Sequence, residues 1–206
     1  MKKQKLLNIL ILVTTVLVGT VKAFGYAEVE QMVNTSVQPA VAIEKTSSSE
    51  NGTINPETGV HEGLSASFTL KTNGTDENYD FIVGAKINTI DGEVSGYTSG
   101  GALLFANTTT LPTTSAVNNA KIGNTDNRNV IAYPITMNIT TPMEVSYDNT
   151  RITDEGKGCY IVKVKTANEG TLTQTVGTTP VSETYAVGQD EAGTYKATVY
   201  FTAVSK

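Results

Sequence analysis

The chain carries one His and one Cys, His61 and Cys159. That count restricts its chemistry. A Ser or Cys nucleophile needs an adjacent base, and transition-metal sites draw on several His and Cys ligands. With one of each, these sites have almost nothing to use. His61 stands beside Glu62 in a polar segment and reads as a solvated loop residue. The remaining candidates are carboxylates: Asp76, Glu77 and Asp80; Asp154 and Glu155; Asp190 and Glu191. Such clusters hold calcium when spaced along a dedicated loop, and a separated pair can act as general acid and base. None of these has calcium-loop spacing, so they read as solvated turns. The expectation is a chain with no catalytic residue, no metal and no cofactor. There is no Trp to form a sugar-stacking platform, although nine Tyr are present. Leu111-Pro112-Thr113-Thr114 echoes the start of a sortase signal, but its last residue is Thr and no apolar tail follows. Asn-x-Thr triplets such as Asn73-Gly74-Thr75 arise by chance in a chain with 33 Thr.

The N-terminus points to export. Met1 to Lys5 holds three lysines, and Leu6 to Val21 is almost wholly apolar and uncharged. Ala23 and Ala27 supply small residues at which a signal peptidase could cut. Residues 1–27 therefore read as a secretory signal. The apolar run is shorter than the roughly 20 residues that a spanning helix needs. No Cys lies near the cut, so a lipoprotein anchor is not expected. Cleavage after Ala27 would leave 206 − 27 = 179 residues, a normal size for one domain. Four of the 15 basic residues leave with the signal and all 20 acidic ones stay, giving 11 − 20 = −9. That charge suits neither nucleic acid nor anionic lipid. One Cys cannot form an internal disulfide, so Cys159 is expected to pack as a small apolar residue.

The elements that follow read as strands. Leu64, Ala66, Phe68 and Leu70 alternate with polar residues, as do Tyr79, Phe81, Val83, Ala85 and Ile87. The Asn73-Gly74 loop between them reads as a hairpin turn. Ile131 to Ile139 forms a further strand, in which Pro134 argues for an edge or a bulge. Met143 to Tyr147, Tyr160 to Val164 and Tyr195 to Ala203 complete the set. Thr46 to Gly63 reads as a loop or linker. Gly92 to Asn129 is too long for a structureless loop and should hold one or two short strands or a helical turn. No long window has helical periodicity. Short strands with Gly and Asn turns imply an all-β fold, an antiparallel β-sandwich.

The N-terminal stretch from Glu28 to Lys45 is a long alternating strand. Val29, Val33, Val37, Val41 and Ile43 lie on one face, together with Gln31, Thr35 and Pro39. Val29-Glu30-Gln31, then Ser36-Val37-Gln38-Pro39 with Val41 and Ile43, resembles the mature N-terminus of major subunits of alpha-class (class 5) chaperone–usher fimbriae. The closing Gly193-Thr194-Tyr195-Lys196-Ala197-Thr198-Val199 is similar to the Gly-x-Tyr-x-x-x-Val last strand of those subunits and of related secreted sandwich modules. The resemblance covers the two chain ends and not the middle. It implies an immunoglobulin-like sandwich over residues 46–206 that lacks one strand. It also implies a donor strand over 28–45 that fills the groove of the next copy by β-strand addition. Val29, Val33, Val37, Val41 and Ile43 would be the plugs. Pro39 matches the donor-strand proline and would sit where no ladder N–H is needed. Copies of itself, a periplasmic chaperone and an outer-membrane usher are the partners so implied, host or surface glycans are candidate ligands, and the cell surface is the destination. Read from the residues alone, the same strand could equally pair within its own chain. That is the expectation for a non-polymerising secreted or cell-surface adhesin or matrix protein, because alternation does not distinguish donation in cis from donation in trans.

Overall fold

Runs in which every second residue is apolar bury one face as strands, and this rule builds most of the molecule. The computed structural model describes residues 35–46, 49–123, 129–153, 156–181 and 184–206, with only the backbone described over 151–157. The signal segment, Val29, Val33, Asp154 and Glu155 lie outside the described residues. The elements are β1 (Val41–Lys45), β2 (Leu64–Thr72), β3 (Tyr79–Thr89), β4 (Gly92–Ser95), β5 (Ala102–Asn107), α1 (Thr114–Lys121), β6 (Val130–Ile139), β7 (Met143–Thr153), β8 (Gly156–Val164), β9 (Asn168–Val176), β10 (Tyr195–Lys196) and β11 (Thr198–Ser205).

One sheet has the order β1-β2-β9-β6-β5-β10 and the other β11-β3-β8-β7, with β4 beside β3. Every ladder is antiparallel. The inward rows meet in a core that includes Leu70, Phe81, Val83, Ile131, Val162 and Leu172. This is the expected all-β sandwich. Cys159 is buried and unbridged, as its isolation in the sequence implies. A second cluster, Leu104, Ala106, Val130 and Ala132 with Val117 and Ala120 of α1, covers the opposite face of β5. That strand is therefore buried on both sides, which is why Ala102-Leu103-Leu104-Phe105-Ala106 reads as a continuous apolar run rather than an alternating one.

Several local expectations are corrected. β2 and β3 are not a hairpin: they lie in different sheets. A tight Asn-Gly hairpin needs left-handed backbone, and neither Asn73 nor Gly74 has a positive φ. The segment instead arches across the sandwich, tied by Asp76 N–H to the Val164 carbonyl at 2.8 Å. β3 instead forms a hairpin with β4, where Gly92 has φ 121° and the Thr89 hydroxyl donates to the Gly92 carbonyl at 2.8 Å. Pro134 lies in an interior strand rather than at an edge. It stands where β6 changes partner: Val130–Pro134 pair with β5, and Ile135–Ile139 with β9. The missing N–H thus falls at a break in the ladder.

Residues 92–123 hold two short strands and a helix, and Leu111-Pro112-Thr113-Thr114 leads into that helix. The Thr113 hydroxyl accepts the Ala116 N–H at 3.1 Å, an N-cap. Gly123, at φ 73°, follows its end. Residues 49–63 carry no long strand, yet they are fastened to the sandwich. The Tyr133 hydroxyl donates to the Gly59 carbonyl at 2.6 Å, and Tyr185 does the same to Pro56.

Candidate functional site

The single-chain fold leaves an opening between its sheets. The last strand switches sheets at Ala197: β10 pairs with β5 and β11 with β3. Both are terminal strands of their sheets, so each presents an outer edge that no described strand pairs. Across from them runs the other terminal edge, β1 on β2. Between lies a cavity of about 520 Å³. Leu64, Ala66 and Phe68 of β2, Val176 of β9 and Leu103 and Phe105 of β5 line it, facing Tyr195, Ala197 and Val199. Leu64, Phe68, Phe105, Tyr195, Ala197 and Val199 are only half-buried although they pack on the main core. An aqueous opening onto such residues leaves apolar surface unburied, at roughly 25 cal/mol per Å².

The deep wall of this groove is polar at one point. Gln174 is 1 % exposed and accepts a hydrogen bond from the Tyr97 hydroxyl through Oε1. Its Nε2 has no partner. Burial holds the Tyr97 hydroxyl well above the usual tyrosine range. At the mouth, Lys45 pairs with Glu50. The Tyr195 hydroxyl donates to the Glu191 carbonyl at 2.9 Å, and burial pushes it up to about 12.

The expected donor residues divide into two groups. Val41 and Ile43 are half-buried against their own core, because β1 pairs with β2 from Val41↔Thr72 to Lys45↔Phe68. Asn73 fixes the start of that pairing: it accepts the Ala40 N–H and donates to the Gln38 carbonyl at 3.0 Å. Pro39 is exposed and Val37 is 82 % exposed.

Three of the candidates for chemistry make contacts that hold local structure. His61 is buried rather than solvated: its ring meets Tyr133 edge-on at 4.5 Å, and its Nδ1 contacts the Glu62 carbonyl. The single bridge Ile54↔His61 and the Tyr133 contact draw this loop inward. Asp190 accepts the Asn129 N–H at 2.8 Å and the Ala186 N–H at 2.9 Å, pinning a loop. Asp80 pairs with Lys206 at 3.4 Å. Among the described residues no three His, Cys, Asp or Glu side chains gather as a metal site would require.

Sequence reasoning missed β9, the strand that carries Gln174. Its outward row is Thr171, Thr173 and Thr175 and its inward row Gly170, Leu172, Gln174 and Val176. The inward Gln and Gly dilute the apolar signal. An inward-row glutamine was itself the available clue. No family model matches the chain, and no curated protein is significantly similar to it.

Proposed function

We propose that the chain is a structural subunit of a bacterial surface filament, a pilus or fimbria, that polymerises by β-strand donation. The observation that carries this reading is the groove: half-buried core residues beside strand edges that no described strand pairs, in a chain whose residues 28–40 precede β1 and alternate apolar with polar. An inserted strand would form a ladder on the free edge of β10–β11 and bury Leu64, Phe68 and Val199. The donated portion is 28–40, since Val41–Lys45 are engaged on their own domain. Val29, Val33 and Val37 are then the plugs, each contributing about 1.5–3 kcal/mol on burial. Donation from copy to copy is heterologous and propagates as an open filament. The signal-like residues 1–27 supply export, through the periplasm in a Gram-negative cell, where a chaperone would cover the groove before an usher exchanges it for the next subunit.

A second reading is a non-polymerising secreted or cell-surface sandwich. The pairing of β1 with β2 inside one chain favours it. Electron microscopy of the mature protein separates the two. Filaments from wild type, shortened in Val37→Asp, support donation; uniform single particles in both refute it.

A further inference from the structure

We infer that Gln174 sets the register of the incoming strand by hydrogen-bonding Thr35 of the donating copy. This rests on the strand-donation reading above. A buried amide nitrogen without a partner is rare in a finished core; Gln174 Nε2 is one, and Gln174 is among the residues that line the groove. The cross-strand pairs along that wall are Leu64↔Val176, Ala66↔Gln174 and Phe68↔Leu172. The inner face thus runs apolar, polar, apolar at two-residue steps. The donor row has the same pattern at the same steps: Val33, Thr35, Val37. Setting Thr35 opposite Gln174 lays both valines against apolar rungs and gives Nε2 the hydroxyl as acceptor. A shift of two residues would put a valine on the amide and Thr35 against apolar surface. Gln31, also flanked by valines, repeats the pattern four residues earlier. The polar rung is already filled by the Gln174 side chain and the Tyr97 hydroxyl, so the short threonine fits where a second long amide would crowd. Thr35 itself is exposed in the single chain and free to be passed on.

The test is binding of labelled peptides of residues 28–40 to the full mature chain. The wild-type peptide should bind. A Thr35→Val peptide should bind about tenfold more weakly, the loss expected for one hydrogen bond to a buried group. A Gln31→Leu peptide should bind like wild type. On a Gln174→Met chain the Thr35→Val peptide should bind at least as well as the wild-type peptide. If wild-type and Thr35→Val peptides bind wild-type chain equally, or the loss falls on Gln31→Leu instead, the register is wrong while strand donation stands. If no peptide binds and no filaments form, strand donation fails and this inference with it. Should Gln174→Met not fold, the comparison of the three peptides on wild-type chain still decides.

Discussion

Replacing Tyr97 and Gln174 together should stabilise the subunit relative to replacing Tyr97 alone. Tyr97 and Gln174 form one buried polar pair, and the pair is incomplete: Oε1 takes the Tyr97 hydroxyl while Nε2 takes nothing. Tyr97→Phe removes the donor and strands both ends of the amide in the core. An unsatisfied buried group costs about 1–3 kcal/mol, so this variant should be less stable than wild type by that order. Gln174→Met strands the Tyr97 hydroxyl but relieves Nε2, and the two effects nearly offset. The double variant, with two apolar isosteres, leaves nothing unsatisfied and should be at least as stable as wild type. The decisive quantity is the gain on adding Gln174→Met to Tyr97→Phe: about 1–3 kcal/mol, or roughly 2–12 °C in melting temperature for a chain of this size. Urea titration of the four full chains measures it. A double variant less stable than Tyr97→Phe alone would refute the reasoning, because it would mean that the amide is fully satisfied.

Other consequences are independent of the groove's occupant. Gly84 sits under the Tyr200 ring, and a Cβ there would lie 1.9 Å from it; Gly84→Ala should cost about 1–3 kcal/mol by overpacking, and Tyr200→Ser should restore most of the loss in a thermal melt. Thr113→Ala removes the α1 N-cap and should lower stability by about 1 kcal/mol in the same measurement. Burial raises the Tyr160 hydroxyl from its ordinary 10.0 to about 12. Below pH 10 it is neutral folded or unfolded; above that the unfolded chain gives up the proton first, so stability falls as pH rises from 10 through about 12. Tyr160→Phe should flatten that decline, and an unchanged slope would contradict the assignment.

The strands that sequence made visible are those whose inward row is uniformly apolar: Phe68 and Leu70 in β2, Phe81 and Val83 in β3, Val162 and Val164 in β8. Their partners were less visible, because pairing depends on contacts distant in sequence. The Asn73-Gly74 dipeptide suggested a hairpin, but the apolar faces of β2 and β3 are both satisfied better across the sandwich than side by side. Pro134 suggested an edge or a bulge, since the sequence does not show that β6 changes neighbours at that residue. The burial of His61 depends on Tyr133, 72 positions away, which no local pattern reports. The groove was legible only as a possibility raised by the terminal strand; its walls come from β2, β5, β9 and β10–β11, and only tertiary packing brings these together.

Cross-linking between two single-cysteine chains tests the central claim most directly. In a Cys159→Ala background, one population carries Val37→Cys, in the exposed stretch ahead of β1, and the other Ala197→Cys, on the groove wall. Neither can close a disulfide within one chain. If strands pass between copies, mixing the two under oxidising conditions should give covalent dimers containing one chain of each kind, and excess 28–40 peptide should suppress them. Absence of mixed dimers, with the doubly substituted chain closing a disulfide within the monomer instead, would contradict the account and place the N-terminal strand in its own domain.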